Sequence, residues 1–138
     1  MAAADSRIRG SSELIYVDTL EYLRRGGRIG SAAALLGTAL SIRPLLTVAD
    51  GEVAPLARVP GAKRALNKMV DIAVERAGQQ AVDVAITCAE PGEREQRVSG
   101  ELRRRLPQLR ELMLVNGSSV IGAHVGPGAL GITIAPAL

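Results

Sequence analysis

Apolar residues along this chain change their spacing several times, and each spacing points to an element. Between Ala62 and Ala77 they recur at three and four, through Ala62, Ala65, Leu66, Met69, Val70, Ala73, Val74 and Ala77. That stripe predicts a helix lying on a sheet. The run Val82–Cys88 predicts a buried strand, and Glu13–Val17, Glu111–Val115 and Leu130–Ile134 predict three more. Leu45–Val48 and Glu52–Val59 flank Ala49-Asp50-Gly51, the signature of a β-hairpin. Glu93–Leu106 carries acids early and arginines late, as the helix macrodipole favours, and Pro107 closes it. Asp18 offers an N-cap with Glu21 in capping-box register, Leu20 and Leu23 share a face, and Gly26-Gly27 ends that helix. Ser31 caps a thin second helix, Ala32–Leu40, which Pro44 stops; Gly117–Ala123 is a further short helix. Strands and helices mix without strict alternation. The expectation is an α/β domain of the α+β type, two layers deep, with a mixed sheet.

Composition narrows this picture. At 138 residues and 47% apolar content the chain is one globular domain. It has no Phe and no Trp, and its aromatics are Tyr16 and Tyr22. The interior is therefore aliphatic, which suits a long apolar ligand and is also simply what an Ala-rich composition yields. The lone Cys88 rules out a disulfide framework, and one Cys with one His cannot supply a zinc site. A net charge of +3 and a pI near 9.6 raise the question of nucleic acid. However, the Arg103-Arg104-Arg105 cluster shares its segment with Glu93, Glu95 and Glu101, and aromatics for stacking on bases are scarce. A solvated helix face is the better reading. Without a signal peptide or a long apolar span, the expected location is cytoplasmic. Residues 1–12 read as linker.

The only histidine, His124, sits in Gly122-Ala-His124-Val-Gly126-Pro127-Gly128-Ala-Leu-Gly131. Glycine and proline make this a stiff turn that places an imidazole; the plainer reading is a turn between strands with a histidine beside it. Gly126–Gly131 also spells G-x-G-x-x-G. A dinucleotide fingerprint needs a following helix and a later acid, whereas Leu130–Ile134 reads as a strand and no acid follows Glu111. Ser118 and Ser119 lie near His124 but read as helix caps, and no Walker loop occurs. An imidazole and arginines suit holding a carboxylate or phosphate better than breaking bonds. Two other functions stay open: a hydrolase or transferase using His124 as base, and a basic nucleic-acid-binding or regulatory module.

Two stretches carry a family resemblance. Leu20-Glu-Tyr-Leu23-Arg-Arg-Gly26-Gly27-Arg28-Ile29 resembles the Leu-x-x-Leu-x-x-Gly-Gly-Arg-Ile signature of the DegV family, and Gly122–Gly128 resembles its Gly-x-His-x-Gly-Pro-Gly hallmark. Leu36-Gly37, Ile42-Arg43-Pro44-Leu45-Leu46 and Asp50-Gly51 fall between them in the expected order. The resemblance implies a bacterial protein that binds a long-chain fatty acid and presents its carboxylate to a separate fatty acid kinase. It would be a carrier rather than an enzyme, with no cofactor and no metal. It implies that residues 13–138 form the family's C-terminal domain, with helices on one face of the sheet. The N-terminal α/β domain, which supplies hydroxyl groups to the carboxylate, would then be a missing partner of the same protein. His124 takes the carboxylate, Gly126 and Gly128 hold the turn, and Arg28 lies near the anionic end or the kinase surface. Ile29, Leu35, Leu36, Leu40, Ile42, Val120 and Ile121 would wall the acyl tunnel; small residues here equally permit tight helix–sheet packing. Arg58, Lys63 and Arg64 would meet the kinase, or are ordinary solvated charge.

Overall fold

The computed structural model describes residues 11–37, 39, 41–117 and 125–137. The elements run β1 (Ser12–Tyr16), α1 (Glu21–Arg25), a 3-10 helix (Gly30–Leu35), β2 (Ile42–Ala49), β3 (Glu52–Pro60), α2 (Ala62–Ala77), β4 (Val82–Cys88), α3 (Glu93–Arg105), β5 (Leu109–Asn116) and β6 (Leu130–Pro136). Six strands form one sheet in the order β3-β2-β1-β6-β4-β5. Only β4 and β5 pair in parallel, through the crossover helix α3; the other neighbours are antiparallel. The expected mixed-sheet α/β architecture is what the chain adopts.

Period-two patterning decides which face is which. Leu14 and Tyr16 of β1, Val82, Val84 and Ile86 of β4, and Leu130, Ile132 and Ile134 of β6 all point to one side. The buried stripe of α2 (Ala65, Leu66, Met69, Val70, Ala73, Ala77) lies on them. Helix α3 is polar for most of its length and adds Val98 and Leu102. Ile15, Leu46 and Val53 point to the other side, where Leu20, Leu23, Ala32 and Leu35 cover them. Among the described residues that second cover lies over the β1–β2–β3 half. On β5, Met113 and Val115 remain 50% and 38% exposed.

Several local expectations shift. Asp50 (φ 54°) and Gly51 (φ 77°) make the hairpin turn with two positive φ values, as a type I′ turn requires. The hairpin strands are longer than expected, and Pro44 lies inside β2 rather than ending a helix. The β1–β2 ladder stops at Tyr16↔Leu45, so the side on which Pro44 lacks an N–H has no strand to satisfy. The segment expected as an α-helix over Ala32–Leu40 is the 3-10 helix Gly30–Leu35. Its buried residues, Ala32 and Leu35, are three apart, the 3-10 repeat, and Ala and Gly offer no stripe to extend it. Asp18 does not cap α1. Leu20 holds the N-cap position, and the Glu21 amide donates to Thr19 Oγ1 at 3.3 Å. The short helix expected over Gly117–Ala123 lies, beyond Gly117, outside the described residues.

Candidate functional site

Gly126-Pro127-Gly128 leads into β6, and both glycines have positive φ, 89° and 82°. Neither position has room for a side chain. A Cβ on Gly126 would strike the Tyr22 ring, and one on Gly128 would strike the Asp18 carboxylate. The turn therefore rests on Asp18, just after β1, and on Tyr22 of α1; both glycines are required by their positive φ, and Gly126 also by the Tyr22 ring.

A buried charged network holds the same turn from α3. Glu95 is 4% exposed. Its Oε1 accepts the Gly92 amide at 3.0 Å, satisfying the N-cap amide of α3, while Gly92, without a side chain, returns no bond. Its Oε2 accepts Arg94 Nη2 and Nε at 2.6 and 2.8 Å. The remaining arm of that guanidinium, Nη1, donates to the Gly128 carbonyl at 2.9 Å. Arg94 also lies 5.6 Å from the centre of the Tyr16 ring, a cation–π distance. Tyr16 in turn donates to Asp18 Oδ1 at 2.7 Å.

The electrostatics follow from this packing. Burial alone would raise the Glu95 carboxyl, but the hydrogen bonds from Arg94 and backbone amides, with the Arg94 charge, bring it below its ordinary value. Burial, then the hydrogen bond to Asp18 and its negative charge, push Tyr16 up to about 12. Burial, followed by the Glu95 charge, pushes the Cys88 thiol up, as expected of an inert core thiol.

Beneath the turn, on the sheet face opposite α2 and α3, lies a cavity of about 220 Å³. Ile15, Thr87, Val125, Gly126, Ala129 and Thr133 line it. Small residues on β4 and β6 leave this space: Gly131 carries no side chain, and Thr87 and Thr133 are short. A second cavity, about 240 Å³, sits at the start of α1 between Asp18, Thr19, Leu35, Leu36, Ile42 and Pro44.

The expected site residues fall in several places. Gly126 lines the first cavity, and Gly128 anchors the turn through its carbonyl. His124, Leu40, Val120 and Ile121 lie outside the described residues. Leu35, Leu36 and Ile42 share the second cavity rather than the first, and Ile29 packs in the small cluster over β1–β3. Arg28 is exposed at the end of α1, its amide donating to the Leu23 carbonyl at 2.9 Å. Arg58 reaches the Ala34 carbonyl at 3.0 Å, while Lys63 and Arg64 stand exposed on the first turn of α2. The arginine cluster of α3 is engaged internally: Arg105 with Asp71, Arg104 with Glu101, Arg103 with the Leu112 carbonyl. Sequence reasoning missed Tyr22, Asp18, Arg94 and Glu95 as supports of the turn. A signal existed for Glu95 alone, three residues after Gly92, because Gly92 is itself an acceptable cap.

Fold and site together define an α/β domain with α2 and α3 on one face of a mixed sheet, α1 and the 3-10 helix over part of the other, and an open cavity beside a clamped glycine–proline turn. The sequence matches the family profile described as an uncharacterised protein, DegV family, over residues 1–137, and the chain belongs to that family. A DegV domain-containing protein of Streptomyces coelicolor is 44% identical over 134 residues, 97% of this chain and 48% of the relative. Among solved structures, a fatty-acid-binding DegV family protein from Thermus thermophilus is 31% identical, with a TM-score of 0.88, over 99% of this chain and 49% of its own. A fatty acid binding DegV family protein from Streptococcus agalactiae is 26% identical with a TM-score of 0.84, over 99% and 48%. The chain spans about half the length of the curated relatives it matches. Among the described residues no helix is long and apolar enough to cross a membrane, and no cluster of His, Cys, Asp or Glu has the makings of a metal site.

Proposed function

We propose that this chain is the lipid-holding half of a fatty acid carrier. The observation that carries the reading is the mainly apolar cavity lined by Val125, Gly126 and Ala129 beside the glycine–proline turn, in a family whose solved members from two bacteria bind fatty acids. The cavity takes the carboxyl-proximal methylenes, and His124, two residues before Gly126, meets the acid from the turn, with Arg28 adding positive charge nearby. Each buried methylene contributes roughly 0.8 kcal/mol, so chain burial supplies affinity and the head group fixes register. A volume of about 220 Å³ falls below the roughly 300–1,000 Å³ of ordinary small-molecule sites. The remaining lipid surface falls to the family's N-terminal domain, residues 13–138 being the C-terminal one, and Val120 and Ile121 are candidate acyl-chain contacts. The cavity of Leu35, Leu36 and Ile42 extends the acyl path, and Ile29 and Leu40 are further candidate contacts for the chain.

On this reading the bound acid is presented to a separate fatty acid kinase in the cytoplasm, and the carrier performs no chemistry. Arg58, Lys63 and Arg64 form the docking surface for that partner. Lipid extracted from the purified native protein should contain long-chain fatty acid by mass spectrometry, and His124→Ala should cut oleate retention at least tenfold. Native protein that neither carries nor takes up fatty acid overturns the proposal. Converting Arg58, Lys63 and Arg64 together to Glu should lower kinase-dependent acyl phosphate formation without changing lipid content; unchanged phosphorylation removes these residues from the interface.

A further inference from the structure

We infer that Arg94 is a positioning residue for the fatty acid's carboxylate, acting through the Gly128 carbonyl to hold the turn that follows His124; this deepens the fatty-acid reading and rests on it. Three observations converge. Glu95 Oε1 already accepts the Gly92 amide at the N-cap of α3, and the Arg94 side chain adds no bond to that helix's backbone. Arg94 nevertheless commits its whole fork, with two arms on Glu95 Oε2 and the third on Gly128 O, in a turn 34 residues away. Finally, the turn it grips has no side-chain packing at either glycine, only Tyr22 and Asp18 pressed against the bare backbone. A guanidinium has fixed geometry, and with one edge on a buried carboxylate its third N–H can point in one direction only. That direction sets the height of the Gly128 carbonyl above α3. Tyr16, beneath the guanidinium and tied to Asp18, stops it from tilting. Through these contacts α3 holds Gly128, which stands between Gly126 and Ala129 of the cavity lining.

The inference separates positioning from mere bracing because the two predict different measurements. In the full native protein, Arg94→Ala should lower the ratio of oleate to oleyl alcohol affinity at least tenfold, since only the acid depends on an aimed head-group contact. Val70→Ala, which opens a cavity in the core under α2, serves as a control for general destabilisation and should leave that ratio unchanged. Backbone NMR order parameters at Gly126, Gly128 and Ala129 should be near 0.85 in the wild type and fall below about 0.6 in Arg94→Ala, while those of β4 hold. Equal losses for acid and alcohol, or an unaltered turn, overturn the inference. If the wild type binds neither ligand, the fatty-acid reading fails, and the order parameters alone then decide whether Arg94 positions the turn.

Discussion

Gly128 and Glu95 show how much a single residue decides in this site. Gly128→Ala imposes left-handed strain at a φ of 82° and displaces the exposed Asp18 carboxylate. The strain alone costs roughly 1–2 kcal/mol, so urea denaturation should show at least that loss. Glu95 predicts a dependence on acidity. Its folded carboxyl binds protons less readily than the unfolded one, so its contribution to stability is fully present above the unfolded value of about 4.3. That contribution is lost as pH falls through the lower folded value. The groups facing it are Arg94 on its own helix and Cys88 on β4, and the thiol stays neutral throughout this range. Glu95→Gln should flatten the acid limb of the stability curve, measured as the denaturation midpoint between about pH 6 and 3. Residues of this kind were the least legible in the sequence. Arg94 and Gly128 stand 34 positions apart, and nothing in either local pattern ties them together.

At the scale of elements, legibility followed the strength of the local signal. Helix α2 and strand β4 have the bounds their patterns predict, because each carries an uninterrupted apolar repeat. The hairpin was legible from Asp50-Gly51, which supplies both positive φ values. The Ala32–Leu40 stretch was misread for a reason propensity conceals. Alanine favours helix, but Gly30 and Gly37 bracket the segment at positive φ, and a Cβ at Gly30 would collide with the Val53 carbonyl. Pro44 was misread because a proline breaks a helix or a paired strand alike, and only the sheet reveals that β1 has ended beside it. Helix α3 tests the opposite case, a mostly polar element held by few buried groups. Leu102→Ala should cost about 3 kcal/mol in chemical denaturation, since Leu102 is fully buried between the helix and the sheet.

Across the whole molecule, the sheet is dressed unequally. Among the described residues one face lies under α2 and α3, while the other is covered over β1, β2 and β3 and carries small or exposed groups over β6, β4 and β5. The mixed α/β sheet was legible from the order of elements, but this asymmetry was not, since the helices expected on one face are joined by α1 and the 3-10 helix on the other. It depends on which half of the sheet the α1 and 3-10 segment crosses. Thr133, on the open half, lines the cavity. Thr133→Phe should reduce bound fatty acid severalfold by mass spectrometry while moving the melting temperature by only a few degrees, because the ring enters empty space rather than packed core. Tyr16 adds a practical consequence. With no tryptophan or phenylalanine, the protein's near-ultraviolet signal belongs to two phenols. One of them, ionising only near 12, is wedged below the guanidinium that grips the turn. Any event that loosens this grip carries its own optical reporter, legible as tyrosine absorbance and emission without a label.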